Sequence, residues 1–339
     1  MDISEIPSYK KISYTNIVVD CFHMDILNAS HYFLSHFHAD HYYGLKKSFG
    51  HPVFCSITTS NLVKLKYKCD TVPLELNKIY DLEDNNSVSL IDANHCPGAV
   101  CFIFNIKGSF FLHTGDFRCT VDYTSQLLNY NFLSIYLDNT FEGHKGFPSQ
   151  EEVIHRVIDI IRKNSKRTCL VPIKYKYLFC TYCVGKERLF LSVAEYFNLS
   201  IKVEPEKLKI YQCYDYVALD LLNKEVLGIV ERYKNKSKED LEFKRKYIDS
   251  GCGMNVNANN PFSRITTKEK ENQIMVISTQ HIEKKRLHKI IEDIKCDRVV
   301  AFCGTGWQDK TASFDWSRKD ASKSLVSTKM GDPWESKVQ

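Results

Sequence analysis

The segment His36-Phe37-His38-Ala39-Asp40-His41 is the most informative stretch of the chain, because it places three imidazoles and a carboxylate within six residues. Neutral imidazole and carboxylate are the usual zinc ligands outside thiolate sites. The segment follows the apolar run Tyr32-Phe33-Leu34, so His36 and His38, two residues apart at a strand end, can point the same way. Asp40 and His41 lie in the turn and can face a neighbouring position. One loop can therefore supply ligands to two metal positions.

A metal site also needs ligands from other parts of the chain, and two candidates follow predicted strands. His95 lies in Asp92-Ala93-Asn94-His95-Cys96-Pro97-Gly98, and Asp116 lies in His113-Thr114-Gly115-Asp116-Phe117-Arg118. Taken singly, each is typical of an ordinary polar loop. Together with the histidine cluster, they complete a ligand set. His113 is expected to point away from Asp116 and to serve as a supporting or packing residue.

The composition limits the class of protein. The chain has 339 residues, which predicts about two domains or one domain with a large insertion. It is 43% apolar and 26% charged, as ordinary globular proteins are, and it has neither a membrane-spanning apolar run nor a signal-peptide pattern. The net charge of +5 permits a polyanionic partner. Thirteen scattered cysteines without a secretory signal favour a reduced, intracellular protein.

The pattern of predicted elements changes near residue 140. Before it, short apolar runs such as Val100–Ile106 predict strands. Beyond it strands alternate with helices, the first of which starts at a capping box formed by Ser149 and Glu152. A second helix is expected after Gly185. Residues 234–270 are charged and Asn-rich and are expected to be a mobile insertion.

Several segments resemble a known family. The motif His-x-His-x-Asp-His, a later histidine and Thr-Gly-Asp-Phe-Arg resemble the metallo-β-lactamase superfamily. Longer segments narrow the resemblance to the DNA cross-link repair 5′-exonucleases of its β-CASP branch: Phe33 to Tyr42, Leu90 to Val100, Leu112 to Arg118, Tyr136 to Thr140, Thr181 to Glu187 and Ala301 to Trp307. The resemblance covers about residues 8–307.

The resemblance implies an α/β fold, namely an αββα metallo-β-lactamase sandwich with an inserted α/β β-CASP domain. We therefore expect a metallo-β-lactamase domain in residues 1–140 and the β-CASP domain in residues 141–307. Residues 308–339 form a divergent polar tail that is expected to be poorly ordered.

The resemblance also implies roles for the clustered residues. A first Zn²⁺ would be held by His36, His38, His95 and Asp116. Asp40 and His41 would help to hold a second ion, with Asp116 bridging the two, and Asp40 is the candidate catalytic proton acceptor. Two such ions clamp the attacking and leaving oxygens of a phosphodiester. Asp138 would position the metal site from outside the ligand set, the alternative being a plain strand-end carboxylate.

A 5′-exonuclease must also bind a terminal phosphate. By resemblance, this pocket is lined by Thr181, Tyr182 and Lys186. Hydroxyl donors and a cation at the start of a helix suit an anion, and the alternative is a helix cap with a solvated lysine. Upstream, Lys174-Tyr175-Lys176-Tyr177 interleaves cations with aromatic rings. This pattern suits single-stranded nucleic acid, and equally an edge strand with outward lysines.

The C-terminal part departs from the family pattern. The family returns to its first domain with a Tyr-Ser-Glu-His-Ser-Ser type segment, whereas no histidine occurs here after His288. We therefore expect the C-terminal part of the sandwich to be missing, as in a truncated isoform or a misjoined gene model. An exposed core face or sheet edge would remain. One zinc site would be intact, the second would be incomplete, and activity would be reduced.

The sequence thus predicts a zinc-dependent 5′–3′ exonuclease that hydrolyses DNA from 5′-phosphorylated ends in interstrand cross-link repair. The expected partner is DNA with single-stranded or damaged ends, with no membrane and no predicted protein partner. We expect a monomer, placed in the nucleus by resemblance. Two alternatives stay open: an impaired form that binds DNA or protein without turnover, and another hydrolase of the superfamily, such as a β-lactamase or an RNA-processing enzyme.

Overall fold

The structure is a computed structural model that describes most of the chain in two compact units. The described residues are 5–22, 26, 28–119, 125–140, 142, 148–166, 175–236, 260–268, 273–278, 298–303, 311–317 and 326–330. The first unit comprises Met1–Gly143 and Gln212–Leu219, and the second comprises His144–Tyr211 and Asp220–Gln339. The segment Gln212–Leu219, which the sequence places within residues 141–307, therefore groups with the first unit.

The first unit contains a sheet of four parallel strands in the order β1-β2-β3-β4. The strands are Ile17–Val19, His31–Phe33, Val53–Ser56 and Thr71–Leu74. Helix α1 (Ile57–Tyr67) follows β3 directly and packs on β3 and β4. It begins where the Ser56 hydroxyl accepts a hydrogen bond from the Thr59 amide, and it ends at Lys68 in the left-handed conformation.

A second sheet of five strands faces the first one. Its order is β5-β6-β7-β8-β9, and all neighbours are antiparallel except β8 and β9. The strands are Ile79–Asp81, Ser87–Asp92, Val100–Ile106, Ser109–His113 and Phe132–Tyr136. Between the sheets, the Phe33 ring centroid lies 5.2 Å from that of Phe102 and 5.1 Å from that of Phe104. Burying each such ring contributes about 1.5–3 kcal/mol, so this core fixes which strand ends lie together.

The edge strand β9 presents apolar side chains to solvent. Leu133 and Ile135 are 61% and 53% exposed, and Leu137, directly after the strand, is also exposed. These side chains alternate along the chain and therefore share one face of the sheet. An exposed apolar face of the kind expected from the sequence is thus present in the described part of this unit.

The second unit is built on a seven-stranded sheet in the order β12-β11-β13-β10-β14-β15-β16. In chain order its strands are β10 Tyr175–Thr181, β11 Ser200–Val203, β12 Ile265–Thr266, β13 Gln273–Ser278, β14 Arg298–Cys303, β15 Thr311–Ser317 and β16 Val326–Met330. The first five are parallel and the last two antiparallel. Two stretches of the tail that the sequence predicts to be poorly ordered, β15 and β16, are thus strands.

Four helices of the second part of the chain are described: α2 Gln150–Lys166, α3 Glu187–Phe197, α4 Pro205–Tyr211 and α5 Tyr216–Lys236. The capping box of α2 is confirmed, since the Glu152 amide donates to the Ser149 hydroxyl at 3.1 Å and the Ser149 amide donates to Glu152 at 2.7 Å. The apolar stripe of α2 is buried: Ile154, Val157, Ile158 and Ile161. The helix predicted after Gly185 is α3 and is also confirmed.

The predicted α/β class is confirmed, and the assignment of the units to metallo-β-lactamase and β-CASP domains stays a prediction. The sequence also predicts a strand at residues 169–173 and a helix at residues 283–294. Both lie outside the described residues, as does most of the 234–270 segment. Described cysteines such as Cys55 and Cys101 are buried thiols. Among the described helices, none has the length and apolar character to cross a membrane.

Candidate metal centre

Four side chains that the sequence names as metal ligands converge in the first unit. His36, His38, His95 and Asp116 each offer a ligand atom, and these atoms all lie within 4.8 Å of one another. They come from three loops: the loop after β2 carries both His36 and His38, the loop after β6 carries His95, and the loop after β8 carries Asp116. Residues far apart in sequence thus meet at one end of the sandwich.

The nitrogen and oxygen atoms of the four side chains lie close to one another. His38 Nδ1 lies 2.9 Å from His36 Nε2 and 3.2 Å from His95 Nε2. Asp116 Oδ2 lies 3.8 Å from His36 Nε2 and 3.6 Å from His95 Nε2. Three imidazole nitrogens and a carboxylate oxygen therefore face one common point, which is the donor set and the convergence that a zinc-type ion requires.

Two of the imidazoles are held in the neutral form that binds a metal. Burial, followed by the neighbouring histidines, lowers the pKa of the fully buried His36 well below its usual value. Burial and then His38 lower the pKa of His95 to about 3, although Asp116 opposes the shift. A neutral imidazole keeps a lone pair for a metal, so the cluster is chemically prepared for a cation.

His41 lies beside the four residues rather than among them. Its Nδ1 is 2.7 Å from Asp20 Oδ2, and its Nε2 is 3.1 Å from Asp116 Oδ1 and 3.7 Å from Asp40 Oδ2. Burial lowers the pKa of His41, but the Asp20 and Asp116 carboxylates outweigh burial and raise it to about 10. The ring of His41 thus joins the Asp116 carboxylate to a second, buried carboxylate.

Asp20 is the site residue that the sequence analysis missed. It follows β1 and accepts hydrogen bonds from the Ser35 amide at 2.8 Å and the Ser35 hydroxyl at 2.7 Å, in addition to its contact with His41. Burial raises the pKa of Asp20, but His41 and the other contacts outweigh burial, so the pKa is lowered. The available signal was its position directly after the run Ile17-Val18-Val19, because the other site residues also follow strands.

The remaining residues predicted for this unit occupy different surroundings. The Asp40 side chain is 75% exposed and lies outside the group of four. The Asp138 carboxylate accepts hydrogen bonds from the Thr140 amide and hydroxyl, and the Asp138 amide donates to the Thr114 hydroxyl, two residues before Asp116. His113 is buried, with Nε2 3.0 Å from the Tyr9 carbonyl and Nδ1 accepting from the Gly115 amide. His113 therefore packs beneath the loop of Asp116.

The start of α1 supports the loop of His95. The Ser56 hydroxyl donates to the Gly98 carbonyl at 2.6 Å, and the Thr59 hydroxyl lies 3.1 Å from the same oxygen. At the next position, the Thr58 amide and hydroxyl both donate to Asp215, at 3.0 and 2.8 Å. Asp215 also accepts from the Ala218 amide at the start of α5. One helix terminus thus fixes the loop that carries a cluster histidine and a segment more than 100 residues later.

The three phosphate-pocket candidates lie in the second unit, around the turn from β10 to α3. Thr181 is buried and its hydroxyl lies 3.4 Å from the Ile277 carbonyl. The Lys186 ammonium lies 5.0 Å from the centroid of the Tyr182 ring, and burial raises the pKa of Tyr182. Gly185 and Lys186 have φ values of 105° and 71°, so this turn uses the left-handed conformation twice. Their role in binding phosphate stays a prediction.

A buried lysine holds this turn from below. Lys207 in α4 donates to the carbonyl oxygens of Tyr182 and Cys183, the latter at 2.7 Å. Burial lowers the pKa of Lys207, although Glu187 and Cys183 oppose the shift. The Lys207 ammonium therefore donates to the backbone of the predicted phosphate-binding turn.

Lys174 lies outside the described residues, and the rest of the aromatic and basic segment 174–177 departs from both interpretations of the sequence. Strand β10 lies between β13 and β14, so the edge-strand interpretation is wrong. Lys176 and Tyr177 are buried in this central strand, which pairs with β14 from Tyr175 onward and with β13 from Tyr177 onward. Neither side chain is exposed to contact nucleic acid.

Comparison with known proteins finds relatives among the DNA cross-link repair proteins. No family model matches the chain. The DNA cross-link repair 1A protein of Mus musculus is 37% identical over 217 residues, which are 61% of this chain and 20% of the relative. Its Homo sapiens counterpart is 37% identical over 226 residues, which are 64% of this chain and 21% of the relative. The chain resembles the DNA cross-link repair proteins.

The resemblance read from the sequence segments is thus confirmed. A further relative is the 5′ exonuclease Apollo of Danio rerio, 34% identical over 215 residues, which are 59% of this chain and 36% of the relative. The chain spans about a fifth of the length of the vertebrate 1A relatives that it matches.

Proposed function

We propose that this chain is a metal-dependent DNA repair nuclease, and more specifically a zinc-dependent 5′–3′ exonuclease that acts on 5′-phosphorylated ends in interstrand cross-link repair. The observation that carries the proposal is the convergence of His36, His38, His95 and Asp116 within 4.8 Å. The similarity to DNA cross-link repair proteins and to a 5′ exonuclease supports the substrate class. By the same similarity, we propose a nuclear, monomeric protein.

The four residues fit a zinc-type ion by donor chemistry and by convergence. When bound, such an ion supplies Lewis acidity at the phosphodiester and lowers the pKa of water. His36, His38 and His95 would hold it as neutral imidazoles, and Asp116 would supply the carboxylate. Asp20 and His41 orient that carboxylate from behind, because the His41 ring lies between the two acids.

Roles for the other predicted site residues complete the proposal. Asp40, exposed and 3.7 Å from His41, would accept the proton from the attacking water at a carboxylate oxygen. With Asp40, His41 would help to hold a second, weaker metal position, for which its ring would first release a proton. Asp138 would position the Asp116 loop through its backbone amide, which donates to the Thr114 hydroxyl. Thr181, Tyr182 and Lys186 would bind the terminal phosphate through hydroxyl groups and a cation.

The test is digestion of a 5′-phosphorylated single strand by the intact chain loaded with zinc. We expect loss of digestion with a chelator, with Asp40→Ala and with His95→Ala, whereas His51→Ala, outside the cluster, keeps it. Zinc bound per chain should fall in His95→Ala and stay unchanged in His51→Ala. Equal digestion by all variants, or digestion that ignores the chelator, would reject the proposal. A slower rate on a 5′-hydroxyl end tests the phosphate pocket separately.

A second candidate is a form that binds DNA or protein without turnover. It is favoured by the position of Asp40, which is largely exposed and lies outside the group of four. Zinc near one per chain, with DNA binding and no hydrolysis by the wild type, would support it. Hydrolysis of a β-lactam or RNA in the same preparation, without DNA hydrolysis, would favour another hydrolase.

A further inference from the structure

The first unit carries a segregated positive surface that the metal cluster does not use. Residues 41–69 contain five lysines and neither aspartate nor glutamate. The formal net charge of this short segment therefore equals the net charge of the whole chain, which is +5. All five lysines are exposed; we call them the 41–69 surface: Lys46, Lys47, Lys64, Lys66 and Lys68.

Two separate segments are joined to form this surface. Cys69 Sγ lies 3.0 Å from the carbonyl oxygen of Lys46, and the Lys66 ammonium donates to the Tyr42 hydroxyl at 2.8 Å. The loop that carries Lys46 and Lys47 therefore lies against the C-terminal end of α1, which carries the other three lysines.

The surface begins where the metal loop ends. The amides of His41 and Tyr42 both donate to the His38 carbonyl at 3.1 Å. The Tyr42 ring lies 4.6 Å from the Phe37 ring, and the Lys66 ammonium lies 4.5 Å from the Tyr42 centroid. The packed rings of Phe37 and Tyr42 thus connect Lys66 to the loop that supplies His36 and His38.

Helix chemistry explains only part of this pattern. Cations in the last turn of α1 interact favourably with the helix dipole, which accounts for Lys64 and Lys66. It does not account for Lys46 and Lys47, nor for Tyr43, whose side chain is 69% exposed beside them. An exposed ring next to several cations is the combination that binds a single strand, through base stacking and phosphate neutralisation.

We propose that the 41–69 surface binds the single DNA strand that leads to the metal cluster, with its lysines on the phosphates and Tyr43 as a stacking surface for a base. The inference rests on the proposed function, since DNA is the polyanion that such a cluster would cleave. It goes further by naming the surface along which the strand runs.

The first test compares two double variants of the full chain. Lys46→Gln with Lys64→Gln removes two charges from the surface, and Lys78→Gln with Lys107→Gln removes two charges elsewhere in the same unit. Binding of a labelled, uncut single strand is measured in chelator from 50 to 200 mM salt. Because each neutralised phosphate contributes about 0.7 to the salt slope, we expect the first pair to lower the slope by about 1.4 and the control pair to leave it unchanged.

The second test separates stacking from charge. Tyr43→Ala should weaken binding by about tenfold with the salt slope unchanged, and Tyr43→Phe should retain binding. Equal slopes for the two double variants would overturn the proposed surface even if the protein cleaves DNA. A wild type that binds no DNA would overturn it together with the proposed function.

Discussion

The carboxylate of Asp20 lies 2.7 Å from Nδ1 of His41, and this contact links the buried strand β1 to the metal loop. The other nitrogen of the ring faces Asp116. Asp20 therefore does not contact the cluster residue Asp116 directly but acts on it through the imidazole of His41. Carboxylates that hold a histidine in this way typically contribute 10–100-fold to metal affinity or activity.

We therefore expect Asp20→Asn, which keeps the size of the side chain, to lower zinc affinity by about 10–100-fold. Competition with a chromophoric chelator measures the change. Asp81→Asn, an exposed carboxyl in β5, is the control and should leave affinity unaltered. If the two variants bind zinc alike, Asp20 has no positioning role.

The turn before Asp116 tolerates only glycine. A Cβ at Gly115 would lie 2.7 Å from the Cβ of Ser35, whereas a Cβ at Gly108 meets nothing within 4 Å, and both residues have positive φ. Both alanine variants would suffer similar backbone strain, because both positions have positive φ. Gly115→Ala should therefore lower the free energy of unfolding by about 1–3 kcal/mol more than Gly108→Ala, through overpacking against Ser35. Urea unfolding measures this difference. A zinc content that is lower in Gly115→Ala alone would show that the displaced turn carries the ligand.

The contact between Thr58 and Asp215 should stabilise the loop of His95. Thr58→Val removes the hydroxyl that donates to the carboxylate, and we expect a loss of about 1–3 kcal/mol with weaker zinc binding. Thr58→Ser keeps the donor and should retain most of both. If the valine variant is as stable as the serine variant and binds zinc as well, the hydrogen bond contributes nothing.

Lys207 should support the turn that carries Tyr182. Lys207→Met leaves two partly buried carbonyl oxygens without their donor, which should cost about 1–3 kcal/mol, measured by urea unfolding. Lys209→Met in the same helix is the control, because its ammonium is exposed and pairs with Glu206 at 3.3 Å; such pairs contribute at most about 1 kcal/mol. If the turn binds the terminal phosphate, Lys207→Met should also reduce the preference for 5′-phosphorylated ends.

Tyr233 gives the second unit a defined pH dependence. Burial and the hydrogen bond to Asp159 raise the pKa of Tyr233 to about 12, although Arg162 opposes the shift. The folded state therefore favours the protonated hydroxyl, and this contribution is present below pH 10 and is lost as the pH rises towards 12. The stability difference between wild type and Tyr233→Phe should shrink over that window. A constant difference from pH 8 to pH 11 would contradict this.

Local patterns anticipated much of the fold. The capping box at Ser149 and the apolar stripe of α2 are properties of neighbouring residues, so the helix could be located without knowledge of its partners. Strands such as β7 were visible in the same way. The central position of β10 could not be predicted from the sequence. Whether a strand is central or at an edge depends on its partners, and here the partners β13 and β14 lie more than 90 residues away along the chain.

The candidate ligands could be named from the sequence alone, since His36 and His38 share a six-residue motif and the chemistry of imidazole and carboxylate is intrinsic to the residues. The sequence did not reveal Asp20, an ordinary strand-end carboxylate until β1 and β2 pair and bring it against Ser35 and His41. Nor did it show that Lys46 lies against Cys69. Side-chain chemistry is local, whereas convergence depends on packing: only the buried core between the two sheets, with Phe33 against Phe102, brings the strand ends and their loops to one place.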